Sequence, residues 1–110
     1  MKKVILVIFI SLFLCGCGKE SETYKEMMAK KEYTIVDVRT KEEYENGHIT
    51  GAINIPYDKI DNEVNLSKEK TIFVYCRSGA RSKVAYNTLK DLGYTVYDLG
   101  AYDTIDLEKE

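Results

Sequence analysis

The chain has 110 residues, 16 basic and 18 acidic side chains, and a formal net charge of −2. That length holds one small domain, and the near-neutral charge excludes the strongly basic field of a general nucleic-acid binder. Its three cysteines, Cys15, Cys17 and Cys76, are too few and too unevenly placed for a disulfide scaffold. A single histidine with no Cys/His cluster around it gives no structural metal site, and nothing in the sequence calls for a cofactor.

The chain opens on a short positive head, Met1-Lys2-Lys3, followed by the apolar stretch VILVIFISLFL at residues 4–14. A helix of that length reaches roughly 16 Å against a hydrocarbon core of about 30 Å, so a cleaved export signal is expected rather than a membrane span. The run Leu14-Cys15-Gly16-Cys17 resembles a bacterial lipobox: the small Gly16 before Cys17 fits the pattern, and Leu14 before Cys15 does not. The alternative is an ordinary signal with two incidental cysteines.

The lipobox resemblance implies a signal peptide over residues 1–16 and a diacylglycerol thioether on Cys17. A short tether to residue 22 and a domain over residues 23–110 would follow, held outside the cytoplasm at the bacterial cell membrane. Acyl chains supply about 0.8 kcal/mol per buried methylene, enough for two or three to hold a small domain at a membrane. Cleavage removes two of the basic side chains and none of the acidic ones, leaving a side-chain charge of −4. Charge alone would not bind that domain to anionic lipid.

From there the pattern alternates. Residues 22–31 are rich in helix formers, with Tyr24, Met27 and Met28 at helical spacing and the methionines expected in the core. Tyr33 to Val38 reads as a strand. Thr40 and Glu43 have capping-box spacing for a short helix that Gly47 ends. Ala52 to Ile55 is a short strand closed by Pro56, residues 57–65 a weak helix, and residues 66–70 a loop. The apolar run Thr71 to Tyr75 suits a strand covered on both faces. Arg81 to Leu92 places Val84, Ala85, Thr88, Leu89 and Leu92 on one helical face, with Gly93 as its cap, and Tyr94 to Leu99 is the last strand. Strands and helices in this alternation predict a parallel α/β sheet.

Cys76 follows the most buried-looking strand and precedes the best helix, where open α/β sheets place their ligands. The intervening Arg77-Ser78-Gly79-Ala80-Arg81-Ser82 can turn several backbone N–H groups inward at a helix N-terminus, an anion cradle with a thiol at its base. An ordinary thiol of pKa near 8.5 is only about 3% ionised at pH 7, whereas one lowered to about 6.5 is roughly 75% thiolate. Arg77 and Arg81 add positive charge and suggest an anionic substrate. The competing reading is a buried structural cysteine with exposed arginines.

Several motifs stand in order: Asp37-Val38-Arg39, Glu43-Tyr44, Gly47-His48-Ile49, Gly51-Ala52, Asn54-Ile55-Pro56, and Cys76 to Ser82. Together they resemble a rhodanese-like domain, matched from about Tyr33 to Leu99. The resemblance implies a single α/β domain with an about five-stranded parallel sheet flanked by helices. It also implies sulfur transfer, with Cys76 taking sulfane sulfur from a donor such as thiosulfate and passing it to cyanide or a thiol. Carried over by position, Cys76 is the nucleophile and persulfide carrier. Arg77, Ser78, Gly79, Ala80 and Arg81 form the substrate-binding loop, with the two arginines meeting an anionic donor. Asp37, Arg39, Glu43 and His48 are expected as structural support, including an Arg39–Glu43 pair. Thr50 stands where the family usually has proline. Leu99-Gly100-Ala101-Tyr102 replaces the usual Gly-Gly and tryptophan and marks the pocket wall as unusual, and no segment before Glu22 reads as a first strand.

Two rivals share the fold. A phosphatase or arsenate reductase of the related kind places five residues between cysteine and arginine, whereas Cys76 and Arg81 have four between them. A non-enzymatic module that carries persulfide or binds a partner is the other. If Cys15 leaves with the signal and Cys17 carries lipid, Cys76 is the remaining free thiol, and persulfide must discharge to an external acceptor.

Overall fold

The computed structural model describes residues 23–110. The expected signal peptide, Cys17 and the tether to residue 22 lie outside them. The chain divides into two units at Lys30/Lys31. The described part of the first is helix α1 (Tyr24–Lys30). Thr23 caps it: the Thr23 amide donates to Glu26 Oε1 at 3.1 Å, and the Glu26 amide donates to Thr23 Oγ1 at 3.3 Å. No residue of α1 is fully buried, so Met27 and Met28 are not the core residues that their spacing predicted.

The second unit contains strand β1 (Tyr33–Asp37), helix α2 (Lys41–Glu45), strand β2 (Ile53–Asn54), strand β3 (Thr71–Cys76), helix α3 (Ala80–Asp91) and strand β4 (Val96–Ala101). The four strands form one parallel sheet in the order β2-β1-β3-β4. A fifth strand was expected from the family resemblance alone; four stand among the described residues.

β3 lies inside the sheet, and five of its six residues are buried, as its unbroken apolar run requires. Period-2 alternation sends Ile72, Val74 and Cys76 to one face. There they meet Ala85 and Leu89 of α3, together with Val36 and Val96. The other face carries Phe73, with Tyr33 edge-on at 6.0 Å and Tyr97 stacked at 5.8 Å.

The buried stripe of α3 is Ser82, Ala85 and Leu89. Of the predicted face, Ala85 and Leu89 are buried and Leu92 packs against the core, but Val84 is 49% exposed. Ser82 is drawn inward because its hydroxyl donates to the Gly79 carbonyl at 3.2 Å. Two residues on, about 200° around the helix, Val84 must point outward.

Two other expectations are corrected, and one pairing had no counterpart among them. Residues 57–65 hold only a single 3-10 turn, Tyr57–Lys59. Beyond it Asp61 Oδ1 accepts the Glu63 amide at 2.9 Å, a local turn that competes with helix. The last strand runs to Ala101 instead of stopping at Leu99, because a bulge skips Leu99: Val74 pairs with Asp98, and Tyr75 with Gly100. Gly100 takes φ +85°, and its amide donates to Asp98 Oδ1 at 2.9 Å, so the extra residue is absorbed and pairing continues. Finally, residues 108–110 pair antiparallel with residues 48–50, including mutual His48–Glu110 backbone bonds of 2.8 and 2.9 Å. No periodicity announced this segment.

Candidate active site

The site lies at the carboxyl ends of β1 and β3, and its foundation is an ion pair. Asp37 and Arg39 are both buried. The Asp37 carboxylate accepts the Arg39 amide at 2.9 Å, Arg39 Nε at 2.9 and 3.0 Å, and Nη2 at 2.6 Å. It also accepts the Tyr75 hydroxyl at 2.9 Å, and that hydroxyl in turn accepts the Ile49 amide at 3.0 Å. Burial, despite the Ile49 amide, holds the Tyr75 phenol protonated well above its usual range. Arg39 Nη2 also donates to the Gly47 carbonyl at 2.6 Å, and the guanidinium lies 4.4 Å from the Tyr102 ring centroid and 5.5 Å from that of Tyr75. Asn54 completes the frame, its amide donating to the carbonyls of Asp37 and Arg39 at 2.9 and 3.0 Å.

The expected Arg39–Glu43 pair is replaced by two others, Arg39 with Asp37 and Glu43 with Arg81. Glu43 caps α2 reciprocally with Thr40, as the spacing predicted, and this leaves its oxygens facing α3. Arg81 reaches them with bonds of 2.9 and 3.3 Å. The Arg81 bond, against a smaller opposing effect of burial, lowers Glu43 from its ordinary 4.5 to about 2.

The Cys76 side chain is buried at the end of β3, beneath the N-terminus of α3. Gly79 turns the chain there with φ +102°, a conformation open to glycine at little cost, and its amide points at Cys76 Sγ from 2.9 Å. Burial opposes ionisation of the thiol. Hydrogen bonds from the Ser82 hydroxyl and amide and from the Gly79 and Ser78 amides outweigh it, so the thiol lies below its ordinary pKa. The Ser82 hydroxyl has one proton, which serves either the Gly79 carbonyl or the sulfur. The cradle is therefore built from loop amides and a serine. Arg81 is held protonated first by Glu43 and, more weakly, by the Cys76 charge.

A pocket of about 280 Å³ opens beside this loop, bounded by Arg39, Glu43, Asn46, Gly47, Arg77, Tyr102 and Asp103. Of the two arginines expected to meet an anionic donor, Arg81 is engaged by Glu43. Arg77 is exposed and has no ionic or hydrogen-bonding partner among the described residues. Ala80 opens α3. His48 stacks on Tyr44 at 3.8 Å, its Nδ1 donates to the Tyr44 carbonyl at 2.8 Å, and its Nε2 lies 3.2 Å from a Glu110 oxygen. Among the described residues no His, Cys, Asp or Glu group could hold a metal ion. Sequence reasoning missed Tyr75, whose hydroxyl joins β3 to the 48–50 loop, and Asp103. The apolar run around Tyr75 hid the first, and Asp103 acquires its position only through the bulge in β4.

Two outcomes follow from this geometry. The folded state holds Glu43 below its unfolded value, so its stabilisation is complete above about pH 4.5 and is lost as pH falls toward about 2. Glu43→Gln should lower stability in urea by about 1 kcal/mol at neutral pH, and the difference from wild type should close across that acid window. Ser82→Ala should move the Cys76 thiolate titration up by about one pH unit. The titration is read as the ultraviolet thiolate absorbance minus that of Cys76→Ser.

A family model described as the rhodanese-like domain matches residues 20–103. The thiosulfate sulfurtransferase PspE of Escherichia coli K12 is 36% identical over 78 residues, covering 67% of this chain and 75% of PspE. YrkF of Bacillus subtilis, provisionally named a sulfur carrier protein, is 37% identical over 75 residues, covering 66% of this chain; the chain spans only 40% of YrkF's length. A solved structure of a rhodanese with anions from E. coli superposes with a TM-score of 0.65 at 34% identity, covering 71% of this chain and 96% of that one. The chain belongs to the rhodanese-like domain family.

Proposed function

We propose that this protein is a membrane-anchored sulfurtransferase that moves sulfane sulfur from thiosulfate, or a similar small anionic donor, to a thiol or cyanide through a persulfide on Cys76. The observation that carries this reading is the Cys76 sulfur in its cradle of loop amides at the N-terminus of α3. Sulfur transfer needs a thiolate, and a preformed one needs no general base. The thiolate attacks the sulfane sulfur of thiosulfate; the S–S bond breaks, and sulfite departs with the bonding pair. The resulting persulfide anion meets the same oriented N–H groups. An acceptor thiolate then attacks the outer sulfur, and Cys76 leaves as thiolate. No net proton is required at the enzyme in either step. Relatives named as a thiosulfate sulfurtransferase and, provisionally, as a sulfur carrier support the reaction class.

The full chain in detergent, incubated with thiosulfate and desalted, should gain the mass of one sulfur atom, and Cys76→Ser should gain none. A wild-type chain that gains no sulfur from any sulfane donor sinks the reading. Hydrolysis of an aryl phosphate dependent on Cys76 would put a phosphatase in its place.

The anchor rests on the Gly16-Cys17 lipobox pattern behind an apolar stretch too short to span a bilayer. Cells expressing the full chain with labelled palmitate should label it, and Cys17→Ser should abolish the label and release the protein from the membrane fraction.

A further inference from the structure

The charges around the pocket cancel in a particular way. Arg39 is consumed by Asp37, and Arg81 by Glu43. Among the described residues this leaves two exposed charged side chains of the pocket without a hydrogen-bonding or ionic partner, the Arg77 guanidinium and the Asp103 carboxylate. Arg77 directly follows Cys76 in the chain. Asp103 sits on a 3-10 turn, Tyr102–Thr104, that the Thr104 hydroxyl fastens to the Ala101 carbonyl at 2.8 Å. The neighbouring Tyr102 is itself pinned against Arg39. The carboxylate is thus carried on a fixed wall.

A pocket meant only for a dianion such as thiosulfate gains nothing from a free carboxylate on its wall; Asp103 repels that donor. The same charge attracts an acceptor that brings an ammonium group. We infer that Asp103 is a specificity-determining residue for the second half of the reaction, and that the favoured acceptor is a small thiol bearing an amine, such as an aminothiol or a cysteine with a free α-amino group. The inference rests on the sulfurtransferase reading above. The bonds are those of that reading: the acceptor thiolate attacks the outer sulfur of the Cys76 persulfide, the inner S–S bond breaks, and Cys76 departs as thiolate. Asp103 contributes only charge, by placing the amine.

The test uses the full chain in detergent, loaded with thiosulfate and freed of it. Loss of the extra sulfur mass is then timed in single turnovers with two acceptors of similar size, cysteamine and 3-mercaptopropionate. Intrinsic thiol reactivity cancels when the ratio of their rate constants in wild type is divided by the ratio in Asp103→Asn. For charges roughly 6 Å apart under water-like screening, removing Asp103 slows cysteamine about threefold and speeds 3-mercaptopropionate about threefold, so the quotient is about tenfold. Asp103→Glu should keep the wild-type ratio, and high salt should shrink it. Loading by thiosulfate should become faster in Asp103→Asn. A quotient of one with normally loaded protein overturns this inference and leaves the sulfurtransferase reading standing; failure of wild type to load overturns both.

Discussion

The Asp37–Arg39 pair is the constraint on which the rest of the site depends. Two buried charges cost several kcal/mol each to dehydrate, and their attraction offsets this only when the remaining donors and acceptors are also satisfied. Here they are satisfied by groups from every part of the site. Tyr75 comes from β3, the Gly47 carbonyl from the loop after α2, and Tyr102 from beyond β4. Each partner that lowers the cost of the pair is thereby fixed in place. Local chain geometry makes the pairing possible, since the carboxylate also accepts the Arg39 amide and closes a turn two residues long.

Above this base, charge is handled by a division of labour. Side-chain ion pairs hold the frame: Asp37 with Arg39 at the end of β1, and Glu43 with Arg81 between α2 and α3. The Cys76 sulfur is handled by dipoles. Backbone amides of Ser78, Gly79 and Ser82 are rigid parts of a turn and a helix, and they need no reorganisation when negative charge appears on sulfur. Their net effect exceeds the cost of burying the thiolate, which explains how a fully covered cysteine remains an acid. A guanidinium in the same place would bring a long, mobile side chain to the same task.

Much of this was legible in the sequence where the determining forces are local. The apolar run of β3, the Thr40–Glu43 capping box and the Gly-containing turn after Cys76 each appear where their residues predict, because neighbours a few positions away supply the partners. Three features were not legible from the spacing of apolar and charged residues alone. The identity of the ion pairs depends on whether Arg39 turns toward Asp37 or Glu43, two carboxylates near it in sequence, of which Glu43 is taken by Thr40 and Arg81. The inward turn of Ser82 displaced Val84 from the face that hydrophobic spacing assigns to it. The pairing of residues 108–110 with the 48–50 loop joins segments about sixty residues apart, with no alternating pattern in the tail to reveal it.

The bulge in β4 has a consequence for how such a pocket can change. Strand side chains alternate, so one extra residue exchanges the two faces for everything that follows. Past Leu99 that exchange sets Ala101 opposite Cys76 and is followed by the turn carrying Tyr102 and Asp103. The wall of the pocket is thus fixed by counting residues as much as by choosing them. Gain or loss of a single residue at Leu99–Gly100 would present a different wall to the same sulfur, while the cradle and the ion pair beneath it kept their sequence. Relatives sharing every motif around Cys76 can therefore differ in this wall by a change of length alone.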